Sequence, residues 1–215
     1  LNTKLDIIKH AVVLFNKKGF FNVSIKDITE TMGISPGNFT YHFKRKEYLL
    51  SAIQEQILDN AIEIMPSDQY VTLFHFEEMF KKFYVIQRQY RFFFLEISYL
   101  MVEYPGIMRG YKIATTKRLE GARDLVNHFI TSGRLVPESD RIDYTIIIQT
   151  LWMTSTFWST RMAIIDQKRS VVIEDSPIQN LWGILLPYLT EKGYKEYVEI
   201  TKYHTTQHNI NFKNI

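Results

Sequence analysis

Residues 24–50 read SIKDITETMGISPGNFTYHFKRKEYLL, and their caps spell two short helices joined by a tight turn, with a third beginning. Ser24 with Asp27 three residues on forms a capping box, hydroxyl to the N3 amide and carboxylate back to the cap. Ile25, Ile28 and Met32 then fall on one apolar stripe. Gly33 tolerates the left-handed backbone that ends a helix, and Ile34 is the apolar plug after the turn. Ser35 and Pro36 restart a helix as N-cap and N1, where the missing N–H has no helical partner to lose. That second helix, 36–43, buries Phe39 and Phe43 and turns Gly37, Asn38, Thr40, Tyr41 and His42 the other way. Lys44, Arg45 and Lys46 follow at once.

Two helices across a glycine-containing turn make the helix-turn-helix arrangement. Amide, hydroxyl, aromatic and cationic groups on the second helix are those that bond base edges and phosphates. An ordinary helical corner with a solvated basic face carries the same caps, so periodicity alone leaves both readings open.

Outward from this stretch the periodicity stays helical. Residues 3–18 form a first helix on Leu5, Ile8, Val12 and Phe15, ended by Gly19, with Phe20 and Phe21 closing the small core. Residues 46–65 form a rod stopped by Pro66, with Leu49, Leu50, Ile53, Ile57, Ala61 and Ile64 inward. It joins the first 47 residues to the rest and is the expected path for any signal between them. Helices follow at 70–87, at 92–103, where FFFLEISYLMVE is apolar nearly all round and reads as central and buried, and at 107–132, ended by Gly133. The helix at 140–167 contains YTIIIQTLWMTSTFW. One at 176–190 has Ser176, Pro177 and Gln179 as its cap signals, a kink at Pro187 and an end at Gly193. A short helix at 194–203 and a frayed polar tail at 204–215 complete the chain. With no strand alternation, repeat or low-complexity tract, nine to ten helices make an all-α protein: a three-helix head at 1–47, a larger helical bundle at 48–203, and the tail.

Of 215 residues 46% are hydrophobic and 23% charged, the balance of a soluble globular protein. The absence of cysteine excludes disulfides and thiolate metal sites and fits a reducing cytoplasm, the expected location. No apolar run reaches the length of a membrane span, and no signal peptide is visible. The chain begins at Leu1 rather than methionine, so a trimmed segment is expected. Residues 1–50 carry a net charge of +4 and the remainder −1, which suits polyanion binding at one end. N-x-S/T triplets at Asn22 and Asn38 fall inside the head and read as chance.

Residues 7–53, through IIKHAVVLFNKKGF, SIKDITETMGIS and GNFTYHFKRKEYLL, resemble the N-terminal DNA-binding domain of the TetR family of transcriptional regulators. The rest resembles the family only in length and helical character. The resemblance implies a homodimer on a double-stranded, palindromic operator, released by a small-molecule effector, most simply as a repressor. It places Asn38 and Tyr41 against bases or adjacent phosphates, and Ser35, Pro36 and Gly37 at the groove-facing helix start. His42 and Lys46 fall on phosphate, and Lys26 at a position that touches DNA in some relatives. Thr40 stands where the family commonly has tyrosine and reaches less far, which weakens one backbone contact. Thr29 replaces an alanine and is small enough to keep the two helices close.

For the body, the resemblance implies pairing through the last two long helices, with Trp152, Phe157, Trp158, Leu181, Trp182, Leu185 and Leu186 as the seam. The same residues would equally complete a core. An effector pocket would draw on Phe83, Glu96, Tyr99, Glu103, Arg123, His128, Gln149 and Trp152. Glu96, a carboxylate on an apolar helix, either bonds a neighbour or anchors ligand. No G-x-S-x-G, P-loop, H-E-x-x-H or dinucleotide loop occurs, so no catalytic residue, cofactor or enzymatic activity is expected. His204 and His208, four apart in a polar tail without a third ligand, are not read as a metal site. A DNA-binding structural protein without effector, and more distantly a helical enzyme or carrier, are the alternatives. Ligand-dependent loss of DNA binding separates the first two, and turnover of a bound compound would mark the third.

Overall fold

The computed structural model describes residues 4–62, 64, 71–166 and 177–212. Among these are eleven α-helices: α1 (Lys4–Lys18), α2 (Ile25–Met32), α3 (Pro36–His42), α4 (Lys46–Ile62), α5 (Leu73–Gln89), α6 (Arg91–Leu95), α7 (Ile97–Glu103), α8 (Pro105–Thr131), α9 (Tyr144–Asp166), α10 (Pro177–Leu185) and α11 (Glu191–Phe212). A 3₁₀ turn, Leu186–Tyr188, follows α10. Two isolated bridges are the only β pairing among the described residues. None of the described helices is long and apolar enough to cross a membrane. The expected helix stop at Pro66 and cap at Ser176 lie outside the described residues.

The chain packs as two compact units. The first comprises Leu1–Ile64, Phe83–Lys117 and Thr156–Val171. Its core gathers Ile7, Phe15, Phe20, Ile28, Phe39, Leu49, Leu50 and Ile53, all fully buried, with Phe92, Phe93 and Leu100. Phe15 packs edge-on against Phe20 at 5.0 Å and meets Phe92 at 5.1 Å. Each buried phenyl ring contributes on the order of 2–3 kcal/mol. The first three helices therefore share one core with α6 and α7 instead of closing on themselves.

The second unit comprises Met65–Lys82, Arg118–Ser155 and Val172–Ile215. Leu73, Phe76, Phe129, Tyr144, Leu151, Leu181, Trp182 and Leu185 make its core. Tyr144 is fully buried and donates its hydroxyl to the Val136 carbonyl at 2.8 Å. Burial, with Glu138 nearby, pushes its phenol up to about 12.

Three expectations change. The helix expected at 92–103 is two, because Glu96 leaves helical geometry at φ −102°, ψ 10°. Phe92, Phe93 and Phe94 of α6 are all buried, whereas α7 leaves Tyr99, Val102 and Glu103 exposed. The extra break raises the expected nine to ten helices to eleven. Gly193 does not end a helix but lies in the first turn of α11, where Thr190 Oγ1 accepts its N–H at 3.1 Å. A Cβ there would stand 2.2 Å from the Arg134 carbonyl oxygen, so glycine is required by close approach. The tail expected to fray from 204 instead continues α11 to Phe212.

Candidate nucleic-acid interface

Local chemistry builds the recognition helix as its caps dictate. Ser24 Oγ accepts the Asp27 N–H at 3.1 Å, and Asp27 Oδ2 accepts the Ser24 N–H at 2.7 Å, closing the capping box. The bond from the Ser24 hydroxyl to the same carboxylate, at 2.5 Å, holds Asp27 below its ordinary pKa. Gly33 caps α2 at φ +65°, and Ser35 Oγ accepts the Asn38 N–H at 3.2 Å to start α3. Fully buried Phe39, packed 5.9 Å from Phe43, fixes the inward face. Tyr41, 86% exposed, stands on the opposite side. Ser35, Pro36, Gly37, Asn38 and Thr40 are also exposed, and His42 is half-buried with its ring edge-on to Tyr41. Thr40 turns its hydroxyl back onto the Pro36 carbonyl at 2.8 Å, which leaves it little reach. Lys26 is exposed on α2, 3.6 Å from Glu30.

Lys46 is engaged inside the protein. Its Nζ donates to the carbonyls of Phe20 and Val23, both at 2.6 Å, and lies 4.0 Å from the centre of the Phe20 ring. Burial lowers its pKa, against the opposing pull of Glu96 and Asp27. The ammonium thus clamps the loop between α1 and α2, with two of its three protons used internally. Lys44 and Arg45 are exposed instead. A groove of about 420 Å³ beside them has Lys4, His42, Lys44, Tyr48 and Glu55 among its lining residues. The run K-R-K carried that signal, but spacing alone could not show which cation turns inward.

The expected ligand residues are divided between the units. In the first, Glu96 accepts the Phe20 N–H with both oxygens, at 3.2 and 3.1 Å. Burial raises its pKa, against that bond and Lys46. It is a structural clasp. Phe83 is half-buried, 5.8 Å from Phe94. Tyr99 is exposed and edge-on to Phe21 at 4.7 Å, and Glu103 is exposed. In the second unit Arg123 pairs with Glu138 at 2.8 Å, His128 Nε2 donates to the Val71 carbonyl at 2.9 Å, and Gln149 faces outward. The half-buried Trp152 has an indole N–H with no hydrogen-bond partner among the described residues.

Composition alone did not single out the buried amides of the first unit. Gln54 Nε2 donates to the Ile107 carbonyl at 2.8 Å, and Gln87 Nε2 to the Thr156 carbonyl at 3.3 Å. Ser159 Oγ donates to Gln87 Oε1 at 3.3 Å. The hydroxyl of buried Thr156 and the indole N–H of buried Trp158 have no hydrogen-bond partner among the described residues. Gln54 stood on an apolar stripe, one turn from Leu50, which was the available clue.

Of the expected seam, Trp158, Leu181, Trp182 and Leu185 are buried at 2–3% exposure within the protomer, the last three in the core of the second unit. Phe157 is exposed, and Trp152 and Leu186 are half-buried. The outward apolar line on α9 is instead Ile146, Met153, Phe157 and Ile164, exposed by 62, 55, 41 and 66%. A helix apolar on all sides hides which residues form that line.

Residues 7–53 match the family described as bacterial regulatory proteins, tetR family, and residues 55–197 match the one described as bacterial transcriptional repressor. Over 66 residues the chain is 42% identical to the uncharacterized regulator YerO of Bacillus subtilis, a match spanning only 23% of that relative's length and 30% of this chain. It is 25% identical over 166 residues to the regulator RutR of Escherichia coli, covering 73% of each. A TetR-family transcriptional regulator from Marinobacter aquaeolei VT8 shares the fold with a TM-score of 0.82 at 23% identity, covering 94% of this chain and 99% of that one.

Proposed function

The chain belongs to the TetR family of bacterial transcriptional regulators, and from that premise we propose that it is a homodimeric repressor, released from a palindromic operator by a small-molecule effector. The observation that carries the reading is α3: its inward side is locked by Phe39, while Asn38, Thr40 and Tyr41 stand clear. Residues 1–47 act as the DNA-binding head and 48–203 as the effector and dimer body. Asn38 and Tyr41 read the major groove. Lys44, Arg45 and Lys4 take the phosphates, and Ser35, Pro36 and Gly37 allow the helix start to approach closely.

The protomers pair along the outward line of α9, which runs about 27 Å from Ile146 to Ile164 at 1.5 Å per residue. Pairing sets two recognition helices one duplex turn apart, about 34 Å. The effector is an uncharged, largely apolar molecule held in the first unit among Phe83, Phe94, Gln87 and Thr156. It acts by favouring one spacing of the heads over the other. The cytoplasm is the compartment where such a regulator meets its operator.

Selection from a random duplex library by the purified protein tests this. A palindromic consensus with half-sites one turn apart is expected. Salt-sensitive retention without a consensus would instead indicate non-specific DNA binding by a structural protein.

A further inference from the structure

In the second unit α5 and α11 bring three ligand-type atoms to one point. One carboxylate oxygen from each of Glu77 and Glu78 and one ring nitrogen of His204 lie within 4.8 Å of one another. Glu77 is 3% exposed, and its other oxygen, Oε2, accepts the Trp182 Nε1–H at 2.7 Å. A carboxylate oriented by a buried donor is the arrangement that prepares a metal ligand. At the centre stands the Lys81 ammonium, 2.7 Å from Glu77 Oε1, 2.9 Å from Glu78 Oε1 and 3.0 Å from His204 Nε2.

The protons do not suffice for this crowd. His204 Nε2 lies 2.5 Å from Glu77 Oε1 and 3.0 Å from Lys81 Nζ. A nitrogen that accepts from the ammonium has no proton for the carboxylate, and one that donates to the carboxylate repels the ammonium. Glu77 Oε1, despite the ammonium and the imidazole beside it, has no hydrogen-bond partner among the described residues. The buried oxygen and the imidazole nitrogen converge on a point that a single cation satisfies better than directional N–H donors do.

We propose that Glu77, Glu78 and His204 form a binding site for a divalent transition metal of the zinc class. The ion displaces the Lys81 ammonium, whose side chain is 35% exposed and free to swing to solvent. Two carboxylate oxygens and one imidazole nitrogen suit zinc, leaving a fourth position for water. Binding would pin α11 to α5 across 127 residues of sequence, between Glu77 and His204. Neither DNA nor effector enters the site, so it stands independently of the repressor reading.

The test is a zinc(II) titration of the chelator-treated full-length protein against a chromophoric competitor, with thermal melting in parallel. One ion per chain is expected, raising the melting temperature. His204→Ala and Glu78→Gln should each weaken binding at least about tenfold. Lys81→Met keeps the apolar stem without the charge and should bind about tenfold more tightly, since no ammonium is displaced. Absence of saturable uptake by both wild type and Lys81→Met would overturn the site. So would uptake unchanged by His204→Ala, which would place zinc on other histidines. Lys81→Met binding no tighter than wild type would overturn the displacement.

Discussion

Two side chains show how one residue's surroundings decide its work. Lys46 satisfies the Phe20 and Val23 carbonyls from half-buried ground, so Lys46→Met should cost about 1–3 kcal/mol of stability, the penalty of stranding buried acceptors. Urea denaturation would show it. The Asn38 side chain is exposed on α3, so Asn38→Ala should leave that curve within about 0.5 kcal/mol of wild type. It should instead lose roughly 1–3 kcal/mol of base discrimination, read by competition between operator variants. Glu96 has a raised pKa in the fold, first because it is buried. A carboxylate raised on folding favours the folded state most when protonated, and that contribution is lost as pH rises through the folded value. The stability of wild type relative to Glu96→Gln should therefore fall as pH climbs through and above the ordinary carboxylate range. A difference that rose with pH would contradict this.

At the scale of elements, α2 depends on its first turn. Asp27 titrates the other way from Glu96, its pKa lowered by the Ser24 hydroxyl and amide. Its stabilisation is complete above the unfolded value and fades as pH falls through the folded one. Ser24→Ala should destabilise by about 1 kcal/mol at neutral pH and should recover in acid only the part carried by the hydroxyl-to-carboxylate bond, since the bond from the Asp27 N–H to Ser24 Oγ does not titrate. Denaturation at the two pH values checks both statements. The α6–α7 break has a comparable logic. Glu96 ends one helix and turns its carboxylate onto the Phe20 N–H, while the Asn16 side chain accepts from the Phe92 N–H at 2.9 Å and donates to the Gln89 carbonyl at 2.8 Å. These bonds tie α1 and its following loop to α5, α6 and α7.

Across the whole molecule the proposed dimer rests on α9. Met153→Glu places a charge in the middle of the outward line and should yield a folded monomer whose melting temperature is lower than wild type's and no longer depends on protein concentration, since the partner's stabilisation is gone. Sedimentation should show the monomer, and operator affinity should drop with it. A dimer that survived Met153→Glu would move the interface elsewhere.

The helix-turn-helix was legible because every signal in it is local: caps, a left-handed glycine, a proline at N1 and two buried phenylalanines, each acting within a few residues. The all-α class was legible for the same reason, from breaks and periodicity. Which face of an apolar helix turns inward was not, because α9 and α10 offer hydrophobic groups on every side and only the neighbours choose among them. Trp182 therefore went to the core against Glu77, and Met153 to the surface. The sequence by itself determined the all-α class and the two helices of the helix-turn-helix. The tertiary structure alone decided that Lys46 points inward, that Glu96 is a clasp, and that His204 meets two glutamates more than a hundred residues away. Those outcomes depend on burial and on contacts between distant segments, where desolvation and the available partners, not local propensity, set the energy.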